Sequence, residues 1–322
     1  MPNPDKNLFL QACTHMPASY FSVPLGLGAL ALAWHKAEPV FEYAHSVSLI
    51  LTMMAILIWV FFLCIYIVKI KVCPQNFLQE YHCPIRFSLI MLIPISSLVI
   101  GELLFVLGFL TIGKILIFTS ILIQIGYATW RIGMLWRGDT FTENATLPTF
   151  YLPAVAANFT SASGLSLLGF HDVAQLFFGA GLFAWIIFEP VLLQYLRTHQ
   201  IPQALRPTMG IILAPAFVGA NAYLSITAGE VDFFAKMLWG YGLLQLLFLI
   251  RLFSWIAEGG IDARFWSFSF GLASMAGVAI LFYQSPTYHT FGLSAFIFAN
   301  SAMLILIIFT LIEIFKGRFF KL

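Results

Sequence analysis

Apolar residues along this chain fall in long blocks separated by short charged clusters. A block such as VSLILTMMAILIWVFFLCIYIV (47–68) lacks the two-residue alternation of a half-buried strand. It is also long enough to cross a hydrocarbon core, which takes about 20 apolar residues as a helix. Reading apolar windows between charge clusters predicts ten helices, at approximately 17–37, 44–69, 86–109, 111–135, 148–169, 171–196, 207–228, 231–256, 264–284 and 290–315.

The odd-numbered windows resemble one another. The first reads YFSVPLGLGALALAW, the third RFSLIMLIPISSLVIG, the fifth FYLPAVAANFTSASG and the seventh TMGIILAPAFVGANAYLS. Each carries a proline (Pro24, Pro94, Pro153, Pro215) followed by Gly, Ala, Ser or Asn, and the ninth, RFWSFSFGLASMAG, has Gly271 in the equivalent place. These positions are 70, 59, 62 and 56 residues apart, one helical hairpin each time. Proline removes a backbone donor and kinks a helix, and small residues let backbones approach closely in a membrane. The even-numbered windows are bulkier. The expected fold is therefore an all-α integral membrane protein, 1–322 a single transmembrane domain: five helical hairpins in a pseudo-fivefold arrangement around a central pore. The kinked helices form the inner wall and the bulky ones face lipid, with a short segment (1–16) before the first hairpin and a basic tail (316–322) after the last.

Composition agrees. The chain is 61% hydrophobic and 9% charged, against about 25% charged in soluble domains. Ten crossings put both termini on one side, and 13 of the 16 Lys and Arg residues lie there; only Lys36, Lys114 and Lys236 fall on the other. The positive-inside rule makes that side cytoplasmic, and the localisation expected is the bacterial inner membrane, multi-pass, with both termini cytoplasmic. Trp34, Trp136, Trp255 and Trp266 fall near predicted helix ends, as interfacial tryptophans do. MPNPDKNLFLQACTHMP has no compact apolar core of a signal peptide. Asn144-Ala-Thr146 fits a glycosylation triplet but lies on the cytoplasmic side.

Catalytic chemistry is not found. There is no HExxH, no pair of histidines four apart and no paired acids inside a window, so no enzyme, metal or cofactor is expected. Cysteines 13, 64, 73 and 83 have no metal-clip spacing. A net charge of +2 spread over short loops gives no nucleic-acid surface. Three acids, Glu102, Glu189 and Glu313, qualify as intramembrane charges. Glu102, on an inner helix, reads as a coupling or a structural acid. Glu189 reads as the structural partner of a nearby arginine or as a coupling group, and Glu313 reaches an interface. Ser96, Ser97, Asn158, Thr160, Ser161, Ser163, Asn221 and Ser274 offer weak donors along an inner wall, and Ser97, Asn158, Ser161, Asn221 and Ser274 are taken as its polar lining. A basic cytoplasmic mouth concentrates anions.

The stretches FYLPAVAANFTSAS (150–163), FFGAGLFAWIIFEPVLLQ (177–194), GEVDFFAKMLWGYGLLQLLFLIRLF (229–253) and WSFSFGLASMA (266–276) closely resemble the tellurite-resistance/dicarboxylate transporter family, which includes the plant guard-cell slow anion channels. The likeness spans nearly the whole chain. It implies a homotrimer with one pore per subunit, small inorganic or organic anions as partners, and a phenylalanine on the ninth helix that plugs the pore. The match to that phenylalanine is Phe270, just before Gly271. The function implied is an anion channel associated with tellurite resistance. The alternative is a secondary carrier for dicarboxylates or oxyanions such as tellurite, since the same family holds such transporters.

Overall fold

The computed structural model describes residues 16–138 and 146–319. Lys6, Cys13, Asn144 and Lys321 lie outside the described residues. The α-helices are α1 Ser22–Lys36, α2 Ala44–Val72, α3 Pro74–His82, α4 Leu92–Val106, α5 Leu110–Ile132, α6 Ala157–Leu167, α7 His171–Thr198, α8 Leu213–Ile226, α9 Phe233–Ile256, α10 Ser269–Gln284 and α11 His289–Phe315. Each of the ten apolar windows holds one of them. The remaining helix, α3, lies between windows, where the apolar pattern predicts none.

The five repeated motifs share one local geometry. Pro24, Pro94 and Pro215 are each the third residue of their α-helix, and Gly271 is the third residue of α10. A tighter 3₁₀ turn precedes each: Ala18–Phe21, Phe87–Met91, Gln203–Ile212 and Ala263–Phe268. Proline cannot bond the carbonyl four residues back. The turn before it closes on carbonyls three residues back instead, as the Ser22 N–H does on Ser19 O. Before α6 the solution differs: a 3₁₀ turn at Pro148–Phe150 runs into a wider π turn at Leu152–Ala156, whose second residue is Pro153. Pro24, Pro94 and Pro215 thus mark where their helices become α-helical, near the N-terminal end.

Consecutive helices pack as hairpins, α1 with α2, α4 with α5, α6 with α7, α8 with α9 and α10 with α11. The first helices of the hairpins also touch in a closed cycle: α1 meets α4, α4 meets α6, α6 meets α8, α8 meets α10, and α10 meets α1. Burial separates the two sets. In the apolar core of Ala263–Gln284, 83% of residues are buried, against 17% for His171–Thr198. Among the described residues, eight helical segments are long and apolar enough to span a membrane, which makes this a multi-pass membrane protein. The segments holding α1 and α6 fall outside that set, because Gly, Ser, Asn and Thr dilute their hydropathy.

Two of the hairpin turns are copies. In Leu107-Gly108-Phe109 and Leu168-Gly169-Phe170 the phenylalanine N–H bonds a carbonyl five residues back, to Leu104 and Leu165 at 2.9 Å each. The glycines sit at φ 91° and 85°, the left-handed conformation such helix ends require.

At the other end, α3 holds the segment that leads into α1. Glu80 on α3 accepts the Ala18 N–H at 2.8 Å and the Lys69 ammonium at 2.5 Å, and Lys69 also donates to Met16 O at 2.9 Å. The buried pair ties α2, α3 and the turn into α1 together. Trp266, read from sequence as interfacial, is buried and donates to Thr310 on α11 at 2.9 Å.

Close contact sets the tolerance of this packing. A Cβ built on Gly292 of α11 would lie 2.3 Å from Tyr283 N and 2.7 Å from Ala279 O, both backbone atoms of α10, whereas one on Gly240 meets nothing within 4 Å. Gly292→Ala is predicted to destabilise the fold by roughly 1–3 kcal/mol, the range for overpacking, and Gly240→Ala by much less. Thermal denaturation of the two detergent-solubilised variants checks this.

Candidate functional site

The contacts of α10 fix which way its side chains point. Ser269 packs into the notch of Gly26 on α1, where a Cβ would stand 2.2 Å from its hydroxyl, and Gly271 packs against Leu213 of α8. Ala279 faces α11. At about 100° per residue, Phe270 lies about 180° from Ala279. It therefore faces away from α11, to the inside of the cycle, between the two neighbours that clamp Ser269 and Gly271.

Ser274 and Gly277 share this face, about 40° and 20° from Phe270. Gly277 looks between α8 and α1: a Cβ there would stand 3.4 Å from Asn221 and 3.7 Å from Ala33. Phe270 is 7% exposed and, among the described residues, has no ring partner. Phe268, two residues earlier, differs: it stacks on Phe265 at 6.0 Å and fills the notch of Gly210. The Ser274 hydroxyl is buried without a hydrogen-bond partner.

Toward the hairpin turns, two charged side chains lie between inner helices. Lys36, the last residue of α1, donates to Asn221 Oδ1 on α8 at 2.5 Å. Lys36, counted in the sequence among the three basic residues on the non-cytoplasmic side, reaches across to α8. Glu102 on α4 is 6% exposed and accepts no hydrogen bond from a described residue. Its carboxylate lies against Gly164 of α6, where a Cβ would be 3.5 Å from Oε1. Among the described residues it makes no ion pair. Asn221 and Glu102 thus lie beside glycines of α10 and α6.

The other polar residues expected along the inner wall are engaged elsewhere. Ser97 accepts from Trp59 of α2 at 3.1 Å, and Ser161 donates to Gln124 of α5 at 2.9 Å. Asn158 donates to Ala154 O of its own helix at 2.6 Å and lies beside Gly181 of α7. Of the five, Asn221 and Ser274 share the interior with Phe270. Glu313 lies near the end of α11, 3.8 Å from Lys316. Among the described residues no cluster of His, Cys, Asp or Glu is arranged to hold a metal ion.

Residues 15–311 match the SLAC1 family, described as voltage-dependent anion channel. The chain belongs to that family. It is 50% identical over 305 residues, 95% of this chain and 93% of the other, to the tellurite resistance protein TehA homolog of Haemophilus influenzae. More distantly, it is 22% identical over 94% of its length to an uncharacterized transporter of Methanocaldococcus jannaschii, 96% of which is covered. It is also 22% identical over 81% of its length to the sulfite efflux pump SSU1 of Arthroderma otae, 80% of which is covered.

Within this family member the third acid, Glu189, serves the scaffold. No arginine pairs with it. Its carboxylate accepts from Tyr151 in the turn before α6, from Trp185 at 2.8 Å on its own helix, and from Tyr241 at 2.5 Å and Gln245 at 3.0 Å on α9. Four neutral donors stabilise a carboxylate where water is scarce, and they pin three elements together. Stranding a buried donor costs about 1–3 kcal/mol. Glu189→Leu is therefore predicted to lower stability by about 3 kcal/mol or more, and Glu189→Gln by about half as much, as read from thermal unfolding in detergent.

Proposed function

We propose that this protein is an anion channel of the bacterial inner membrane whose pathway is occluded by Phe270. In this reading all five hairpins cross the bilayer, giving ten spans. The five inner helices surround a central pore with pseudo-fivefold symmetry, and both termini face the cytoplasm. The observation that carries the reading is the side chain of Phe270. It is directed to the inside of the closed cycle of inner helices, it is flanked by residues clamped to α1 and α8, and no aromatic partner holds it. Such a ring can turn aside without dismantling the packing around it, and a hydrophobic constriction is a known way to gate a pore.

Further support comes from the hairpins. The cycle of contacts gives α1 and α6 the same place as the three more apolar inner helices, and a segment walled by protein needs less hydropathy than one facing lipid. The basic residues concentrated at one end support the cytoplasmic assignment. The homotrimer, with one pore per subunit, follows from the family resemblance. The names of the relatives, tellurite resistance and sulfite efflux, suggest oxyanions as cargo.

A second reading, a secondary carrier, is favoured by one observation: Glu102 is a buried carboxylate with no hydrogen-bond donor, as a coupling group would be. Voltage-clamp recording of wild type beside Phe270→Ala, in chloride and then gluconate, separates the two. The channel reading predicts large anion currents in the variant and small ones in wild type. Absence of current in both, from protein shown to be in the membrane, would contradict the gate and leave the carrier.

A further inference from the structure

The hydrogen bond from Lys36 to Asn221 joins two helices that are not neighbours in the cycle. α1 and α8 each adjoin α10, which stands between them. Lys36 Nζ nevertheless lies 2.5 Å from Asn221 Oδ1, so this contact spans the width of α10. It does so on the inner face. A Cβ on Gly277 of α10 would stand 3.4 Å from Asn221 Oδ1, the atom that Lys36 bonds, and 3.7 Å from Ala33 of α1. Gly277 lies about 20° from Phe270 around the helix axis and about 160° from Ala279, which packs on α11. It is seven residues beyond Phe270, which is about 10 Å along a helix.

We infer that Lys36, held by Asn221, is a charged crossbar on the pathway and the residue that selects anions over cations. It stands about 10 Å from Phe270, on the side of the hairpin turns. An ammonium has three N–H groups, and the bond to Asn221 uses one. Among the described residues Lys36 Nζ has no second acceptor, so its other N–H groups are offered to a passing anion. A unit charge in a conduit of low dielectric attracts an anion and repels a cation far more strongly than it does in water. Asn221 is a positioning residue: its side-chain oxygen fixes the ammonium across the inner face of α10. Ser274, one turn nearer Phe270 on that face, is 1% exposed and its hydroxyl has no partner. An anion that passes Lys36 meets this donor before it meets the ring.

The inference rests on the conduction reading and names the residue that sets charge selectivity on that pathway. Reversal potentials in a potassium chloride gradient give the chloride-to-potassium permeability ratio of Phe270→Ala. Adding Lys36→Met should lower that ratio by about tenfold or more, the effect of removing one charge from a partly desolvated site. Lys36→Arg keeps the charge and should keep the ratio. Asn221→Ala keeps the ammonium but frees it, so the ratio should hold while unitary conductance rises. An unchanged ratio in Lys36→Met, or a fall in conductance in Asn221→Ala, overturns the inference and leaves conduction standing. Absence of current in Phe270→Ala itself overturns the conduction reading, and the inference with it.

Chemical rescue in assembled protein separates the charge from any structural role. With the four native cysteines replaced, Lys36→Cys in the Phe270→Ala background should conduct with a low ratio. Aminoethyl methanethiosulfonate converts that thiol to a mixed disulfide bearing an ammonium, with release of methanesulfinate, and the sulfonatoethyl reagent leaves a sulfonate there instead. The ammonium should raise the chloride-to-potassium ratio about tenfold and the sulfonate should lower it further. Equal responses to the two reagents, or none when mass spectrometry shows the thiol modified, would overturn the inference. So would a thiol that neither reagent modifies, because the crossbar stands on an aqueous path.

Discussion

Between two helices in lipid there is little hydrophobic drive, because an acyl chain is as apolar as leucine. What holds such helices together is close contact, and close contact needs small side chains. The fold rests on that constraint at α10. Gly26 receives Ser269, Gly271 lies against Leu213, and Gly292 of α11 sits on the backbone of α10. The helix is thereby locked on three sides, and its rotation about its own axis is fixed. That rotation is what turns Phe270, Ser274 and Gly277 inward. The orientation of one ring thus follows from the absence of a few β-carbons.

The same scarcity of water governs the polar groups. Many are satisfied within the scaffold. Glu189 takes four neutral donors, and Lys69 and Glu80 take one another along with backbone groups of the segment that leads into α1. Ser97 and Ser161 bond to outer helices. Buried atoms without a partner among the described residues include the Ser274 hydroxyl on an inner helix, and also Gln124 Nε2, Trp239 Nε1 and Gln245 Oε1 on outer ones.

Much of the architecture was legible in the sequence because it repeats. Proline or glycine at hairpin spacing identified the inner helices, and each apolar window holds a helix. The family likeness was legible for the same reason, since it spans long stretches. Other features depend on contacts between distant parts of the chain. Lys36 stands at the end of the first window, and only the packing of another hairpin brings Asn221 within its reach. The tyrosines and glutamine around Glu189 come from two different hairpins, so the sequence suggested an arginine where none binds. Nothing in composition distinguishes serines facing the interior from those facing an outer helix. The helix α3 is too short and polar to register as an apolar window, and Trp266 sits near a helix end yet is covered by α11.

The central claim is that the inner face of α10 borders an aqueous path which Phe270 blocks. Its most direct test is thiol accessibility to a small anionic, membrane-impermeant reagent. It uses a chain with its four native cysteines replaced and single cysteines placed at Ser274 or Ala279. The account predicts that Ser274→Cys reacts slowly from the side nearer Phe270 when that ring is present and quickly with Phe270→Ala, while Ala279→Cys, packed on α11, stays unreactive in both. Equal rates at Ser274→Cys with and without the ring, or faster reaction at Ala279→Cys, would contradict it.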